Sequence, residues 1–138
     1  MSLSVRVITP DKTVWDASAE EVILPSTTGQ LGILSGHAPL LSALDIGVMR
    51  VRTNKDWIPL ALFGGFAEVE EDQVTILVNG AEKGQDIDAE AAKGKLEQAQ
   101  NQLDQLKGLE NTAEKIKAEK AFKKARAKFQ AANSPVKV

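Results

Sequence analysis

One histidine, His37, stands two residues after Ser35 in Ser35-Gly36-His37-Ala38-Pro39, and an imidazole is the side chain best suited to acid–base work near neutral pH. A small hydrolase built on Ser35 and His37 would need the two to meet in space and a third group to orient the base. The neighbouring residues supply no such arrangement, so a Gly-His-x-Pro turn on an exposed loop is the expected reading. A lone histidine in a chain without cysteine also leaves a transition-metal site short of ligands. Carboxylates gather at Glu68, Glu70, Glu71 and Asp72, but not in the spacing of a hard-cation loop. With Phe66, Ala67 and Val69 before them and Val74 after, they read as a solvated turn between two strands. The glycine-flanked stretches Gly29-Gln30-Leu31-Gly32 and Gly80-Ala81-Glu82-Lys83-Gly84 lack the spacing of a phosphate-binding loop. No catalytic residue, metal ligand or cofactor is expected, and the chain reads as a non-enzyme.

Charge is the more informative chemistry. Net charge is -2, divided into -6 through residue 87 and +4 from Asp88 onward. Between Lys115 and Lys128, Lys115, Lys117, Lys120, Lys123, Lys124, Arg126 and Lys128 stand against Glu119 alone. At about 100° per residue, Lys117, Lys120, Lys123, Lys124 and Lys128 fall opposite Phe122 and Phe129, which describes a basic amphipathic helix. A nucleic-acid-binding domain usually carries a strongly basic surface, whereas the pI here is about 5.5 and the N-terminal part is acidic. An acidic protein partner fits better.

Two kinds of element must position these residues. Up to about Asp86, apolar residues alternate at period two: Val5/Val7, Met49/Val51 and Val74/Ile76/Val78 share faces, with Arg50 and Arg52 pointing the other way. Turn formers interrupt the runs at Pro10-Asp11, Pro25 to Gly29, Gly36 to Pro39, Asn54 to Asp56, Gly64-Gly65 and Asn79-Gly80. Short strands without intervening helices predict an antiparallel β-sandwich over residues 1–86. From residue 87 to 138 the composition shifts to Ala, Glu, Lys, Gln and Leu. Ala92, Leu96, Ala99, Leu103 and Leu106 form one helical stripe, with Asp88 as its N-cap. After Lys107-Gly108, a second stripe runs through Ala118, Ala121, Phe122, Ala125, Phe129 and Ala132. The fold class is β plus α: a sandwich followed by a two-helix antiparallel hairpin. Its alanine-rich seam buries little area, so the hairpin must dock on something or exchange partners. Leu109 and Ile116 project away from the phenylalanine stripe and either pack under the loop or mark a second contact face.

The longest apolar stretches, Trp57 to Phe63 and Val74 to Val78, fall short of the ~20 residues that span a bilayer, and Met1 to Arg6 has no secretory pattern. The chain is expected to remain in the compartment where it is made, with the redox state of that compartment left open.

The runs Glu21-Val22-Ile23-Leu24-Pro25, Gly29-Gln30-Leu31-Gly32-Ile33-Leu34 and His37-Ala38-Pro39-Leu40-Leu41, continued by Gly47-Val48 and Gly64-Gly65-Phe66-Ala67-Glu68-Val69, resemble F-type ATP synthase epsilon subunits over essentially the whole chain. Asp11-Lys12-Thr13-Val14-Trp15 is most similar to the cyanobacterial and chloroplast branch. The resemblance implies a non-catalytic central-stalk subunit whose sandwich binds the gamma subunit and the c-ring. The segment holding Gly29, Leu31, Gly32, Ile33, Leu34, His37, Ala38, Pro39, Leu40 and Leu41 would form that interface. It also implies a hairpin that extends toward the alpha and beta subunits and inhibits ATP hydrolysis, a role expected here of Lys117, Lys120, Lys123, Lys124, Arg126 and Lys128. The implied location is peripheral, on the cytoplasmic or stromal face of an energy-transducing membrane, the thylakoid foremost, with membrane contact only through the complex. Some relatives bind ATP through I/L-D-x-x-R-A. Ile87-Asp88 begins that pattern, but Ala91 replaces the arginine, and losing the guanidinium predicts weak or absent nucleotide binding. The competing reading is a free-standing adaptor that presents the basic hairpin to an acidic protein.

Overall fold

Alternation puts Leu3, Val5 and Val7 of β1 (Leu3–Ile8) on one face, and all three are buried. The same rule buries Val74, Ile76 and Val78 of β7 (Gln73–Val78), and Met49 and Val51 of the long β5 (Leu40–Thr53). In this computed structural model, which describes residues 2–108 and 112–133, the remaining strands are β2 (Thr13–Ala19), β3 (Glu21–Ser26), β4 (Gly29–Leu34), β6 (Asp56–Glu70) and β8 (Ala81–Lys83). Strand order is β2-β1-β7-β6-β5-β3-β4, with β8 also paired to β6. Neighbours run antiparallel except β1 and β7, which pair in parallel from Ser4↔Gln73 to Ile8↔Leu77. More than sixty residues separate those two strands, so no tight turn constrains their direction.

The sandwich arises because β5 and β6 are long enough to enter both layers. Pairing between them lapses at Asp45 and Gly64, between Leu44↔Gly65 and Ile46↔Phe63. Beyond that point β6 exchanges its neighbour: Gly65 to Glu70 pair with β7, whereas Leu60 to Leu62 pair with β8. Gly64 and Gly65 hold φ of +88° and +155°, and a Cβ on Gly65 would strike the Leu77 carbonyl oxygen, so the bend requires glycine. Between the layers lie Leu24, Ile33, Leu60, Leu62 and Ile76 among other buried side chains.

A 3-10 turn at Gly84–Asp86 leads to α1 (Ala89–Gln105) and then α2 (Ala113–Asn133). Asp88 caps α1, its carboxylate accepting from the Glu90 and Ala91 backbone N–H groups at 3.0 and 3.2 Å. Ala92 and Ala118 are buried in the helix pair, with Leu96, Leu103, Phe122 and Phe129 half-buried. A second small cluster joins α2 to the sandwich, where Ala127 and Ala131 are buried against Val48 and Ala61, with Ile46, Phe63 and Ile87 around them. Ile116 is exposed, and Leu109 lies outside the described residues.

Candidate functional site

The loop between β4 and β5 is pinned from a distance. Ser35 Oγ donates to Asp72 Oδ2 at 2.8 Å, and the Gly36 backbone N–H donates to Asp72 Oδ1 at 2.7 Å. Asp72 belongs to the two-residue turn joining β6 and β7, where Glu71 and Asp72 take φ of +49° and +61°, as a type I′ hairpin turn requires. Its own carbonyl accepts from the Ser4 N–H at 2.8 Å, which fixes the turn against β1. His37 turns its Nδ1 to within 2.6 Å of the Ala38 carbonyl oxygen. Ser35 and His37 therefore each engage a different group, and the acidic cluster resolves into a turn. Among the described residues no three metal-ligating side chains converge.

The Gly36 N–H, then the Ser35 hydroxyl, hold the Asp72 carboxyl below the ordinary carboxylate range. A depressed acid contributes stability that is present above its unfolded pKa of about 3.9 and is lost as pH falls through the folded value. The tether should accordingly persist throughout neutral and mildly acidic pH and loosen only below about pH 4. An NMR titration of the Gly36 amide should move in that range, and a midpoint above it would contradict the assignment.

The segment from Gly29 to Leu41 does not form one surface. Gly29 opens β4 and Leu34 closes it, which separates them by roughly 17 Å at the rise of an extended strand. Ile33 is fully buried, and Leu31 and Leu40 pack against the core. Exposure falls on Gly29, Gly32, Leu34, Ala38, Pro39 and Leu41, with Leu41 71% exposed and His37 half-buried. Sequence reasoning missed Phe66 and Leu77, 57% and 54% exposed, which face each other across β6 and β7 with Ala43 and Ile8 in the same row. The signal was there: each is a large apolar residue out of phase with inward neighbours, Ala67 for Phe66 and Ile76 and Val78 for Leu77. They line an open hollow of about 660 Å³ that continues past Phe63 and Asp45 to Lys120 of α2.

The basic helix has two working faces. Phe122 lies toward α1, lining a hollow with Leu96 and Gln100, and the Arg126 guanidinium sits 5.3 Å from its ring centre, whereas Phe129 lines a hollow with Pro25, Gly47 and Val48 of the sandwich. The lysines flank the face through which Ala127 and Ala131 meet the sandwich. Lys128 Nζ approaches Glu82 Oε1 at 2.9 Å, and Lys123 Nζ lies 3.9 Å from Asp45 Oδ2. Lys124 and Lys128 stand 5.0 and 5.7 Å from the centre of the Phe63 ring. Lys120 and Lys117 are exposed. Two of the lysines read as awaiting an acidic partner, Lys123 and Lys128, thus meet acids of the same chain. Ile87 and Asp88, the nucleotide candidates, serve as a packing residue and a helix cap.

Models of the two architectural parts match in the same order. The ATP synthase, Delta/Epsilon chain, beta-sandwich domain covers residues 2–84, and the ATP synthase, Delta/Epsilon chain, long alpha-helix domain covers residues 85–133. The chain belongs to the ATP synthase delta/epsilon chain family. Within it, the ATP synthase epsilon chain of Acaryochloris marina is 64% identical over 138 residues, with 100% of each chain covered. That of Trichodesmium erythraeum is 62% identical over 136 residues, with 99% of each covered. A solved chain in the Euglena gracilis mitochondrial ATP synthase, from a structure of OSCP, F1 and c-ring, shares the fold with TM-score 0.78 at 22% identity. That match covers 95% of this chain and 81% of the other. Epsilon-type members of this family are structural and regulatory components of the F-type ATP synthase, and the chain is non-catalytic in that sense. No described helix is long and apolar enough to cross a membrane.

Proposed function

We propose that the chain acts in the central stalk of a proton-translocating F-type ATP synthase. The sandwich, residues 1–86, joins the gamma subunit to the c-ring, and the hairpin, residues 87–138, serves as a conditional brake on ATP hydrolysis. The exposed Leu34, Ala38, Pro39 and Leu41 suit an end-on contact with the ring, and the Phe66–Leu77 row suits the flank of gamma. Kinship with the Euglena chain, which comes from an assembly holding F1 and c-ring, supports this reading at the level of fold. The cyanobacterial relatives support a peripheral position on the thylakoid, on its cytoplasmic or stromal face.

The observation that carries the brake is the make-up of the α2 docking face. Two buried alanines, lysine contacts with the Phe63 ring and solvent-accessible ion pairs hold α2 to the sandwich. Pairs of that kind contribute roughly 0–1 kcal/mol each, so one set of acids can be exchanged for another at small net cost. The acids that replace Asp45 and Glu82 are taken to be those of the alpha and beta subunits in the extended state. The test adds the full chain, or a chain ending at Asp86, to a catalytic complex stripped of this subunit, after checking that both bind. Suppression of hydrolysis by the full chain alone is expected. Equal rates with the two chains would make the hairpin passive.

A further inference from the structure

The loop joining β4 to β5 has little regular structure of its own beyond a turn in which the His37 N–H donates to the Leu34 carbonyl at 3.1 Å. Ser35 to Pro39 belong to no strand, Gly36 has φ of +87°, and Gly36, Ala38 and Pro39 are exposed. A free loop of this kind loses conformational entropy when a partner orders it, and that cost is subtracted from the affinity. Among the described residues, its side-chain anchor from outside is the Asp72 carboxylate, 36 residues from Gly36 in sequence, which takes a hydroxyl on one oxygen and a backbone N–H on the other. That carboxylate is itself held on a tight two-residue turn and tied to β1 through the Ser4 amide. The chain of restraint is continuous, from β1 through the β6–β7 turn and Asp72 to Ser35 and Gly36.

We propose that Asp72 is a positioning residue that holds the Ser35–Pro39 loop preformed for its partner, so that docking does not have to order it. The partner is the polar loop surface of the c-ring, a part of the proposal that rests on the function proposed above. Asp72 does not itself touch the ring. It fixes the course of the loop between Leu34, which closes β4, and Leu40, which opens β5, while His37 turns against the Ala38 carbonyl.

Three variants separate the parts of this proposal. In Asp72→Ala both acceptors are gone, whereas Asp72→Asn keeps one carbonyl oxygen that can serve one of the two donors. Leu41→Glu leaves the tether intact and alters only the presented surface. In the free protein, amide exchange at Gly36 should speed up by about fivefold or more in Asp72→Ala and less in Asp72→Asn, with core amides such as Val5 and Ile76 unchanged. In the assembled synthase, proton-driven ATP synthesis should fall several-fold with Asp72→Ala and with Leu41→Glu, and less with Asp72→Asn. Binding to the ring-free catalytic sector should stay at the level of the unaltered chain for all three. If Leu41→Glu impairs synthesis but Asp72→Ala does not, the positioning role is overturned and the ring contact stands. If neither impairs synthesis, the ring reading falls and the proposal with it. Unchanged Gly36 exchange in Asp72→Ala, or loss of protection in the core, overturns the positioning role directly.

Discussion

Replacing Gly84 with valine should release α2 from the sandwich while the sandwich itself stays folded. Gly84 is buried where the 3-10 turn passes under α2, and a Cβ there would collide with the carbonyl oxygen of Ala131 and come within 2.9 Å of its carbonyl carbon. On its other side the same Cβ would sit 3.0 Å from Pro59 Cγ, so neither backbone nor ring leaves room. Overpacking of this kind costs about 1–3 kcal/mol, comparable with what two alanines and a few exposed ion pairs contribute. The helix can escape the clash by leaving, whereas the core strands cannot. Trypsin has many lysines to cut in α2, so the expected result is rapid cleavage within 113–133 and a resistant sandwich fragment. An α2 as resistant as in the unaltered chain would mean that the turn yields instead and that docking is stronger than its contacts suggest.

Replacing Lys120, Lys123, Lys124, Arg126 and Lys128 with alanine should return ATP hydrolysis to the rate found with the chain ending at Asp86. If each exposed charge contributes about 0.5–1 kcal/mol to gripping an acidic partner, five together shift the balance by a few kcal/mol, or about a hundredfold in occupancy. Arg126 should account for the smallest share, because it stacks on Phe122 on the side turned to α1. The sign of the change is decisive. Lys123 and Lys128 also pair with Asp45 and Glu82, so if they only latched the hairpin down, their removal would free it and deepen inhibition. Relief of inhibition assigns the lysines to the extended state, and stronger inhibition assigns them to the docked one.

The strands were legible because a half-buried strand writes its burial into alternate residues: Val5, Val7, Met49, Val51, Val74, Ile76 and Val78 are all buried as the period predicts. The hairpin was legible from its period and from the Asp88 cap. The parallel pairing of β1 with β7 was not, because it joins distant segments and leaves no local pattern. Nor was the docking face of α2. Lysine at 120, 123, 124 and 128 suggests solvent or a foreign partner, yet lysine stems can cover apolar surface while the ammonium reaches an acid, and alanine suits either environment. The Asp72 tether is hidden for a related reason: an aspartate in a turn has the same local pattern whether it faces water or a loop 36 residues away.

The two layers of the sandwich are not separate plates held only by their side chains. Because β5 and β6 each pass through both, any torque entering at Leu40 or Leu41 is carried into the far layer along an unbroken covalent backbone, cross-tied by hydrogen bonds from Leu40↔Val69 to Thr53↔Asp56. Two stacked sheets joined only by packing can slide in shear, since dispersion contacts resist sliding weakly. A ribbon folded over at Gly64–Gly65 must instead bend where the Leu77 carbonyl lies so close that a Cβ on Gly65 would strike it. Were the chain to sit in the central stalk proposed above, that continuity would stiffen the sandwich against shear between its layers.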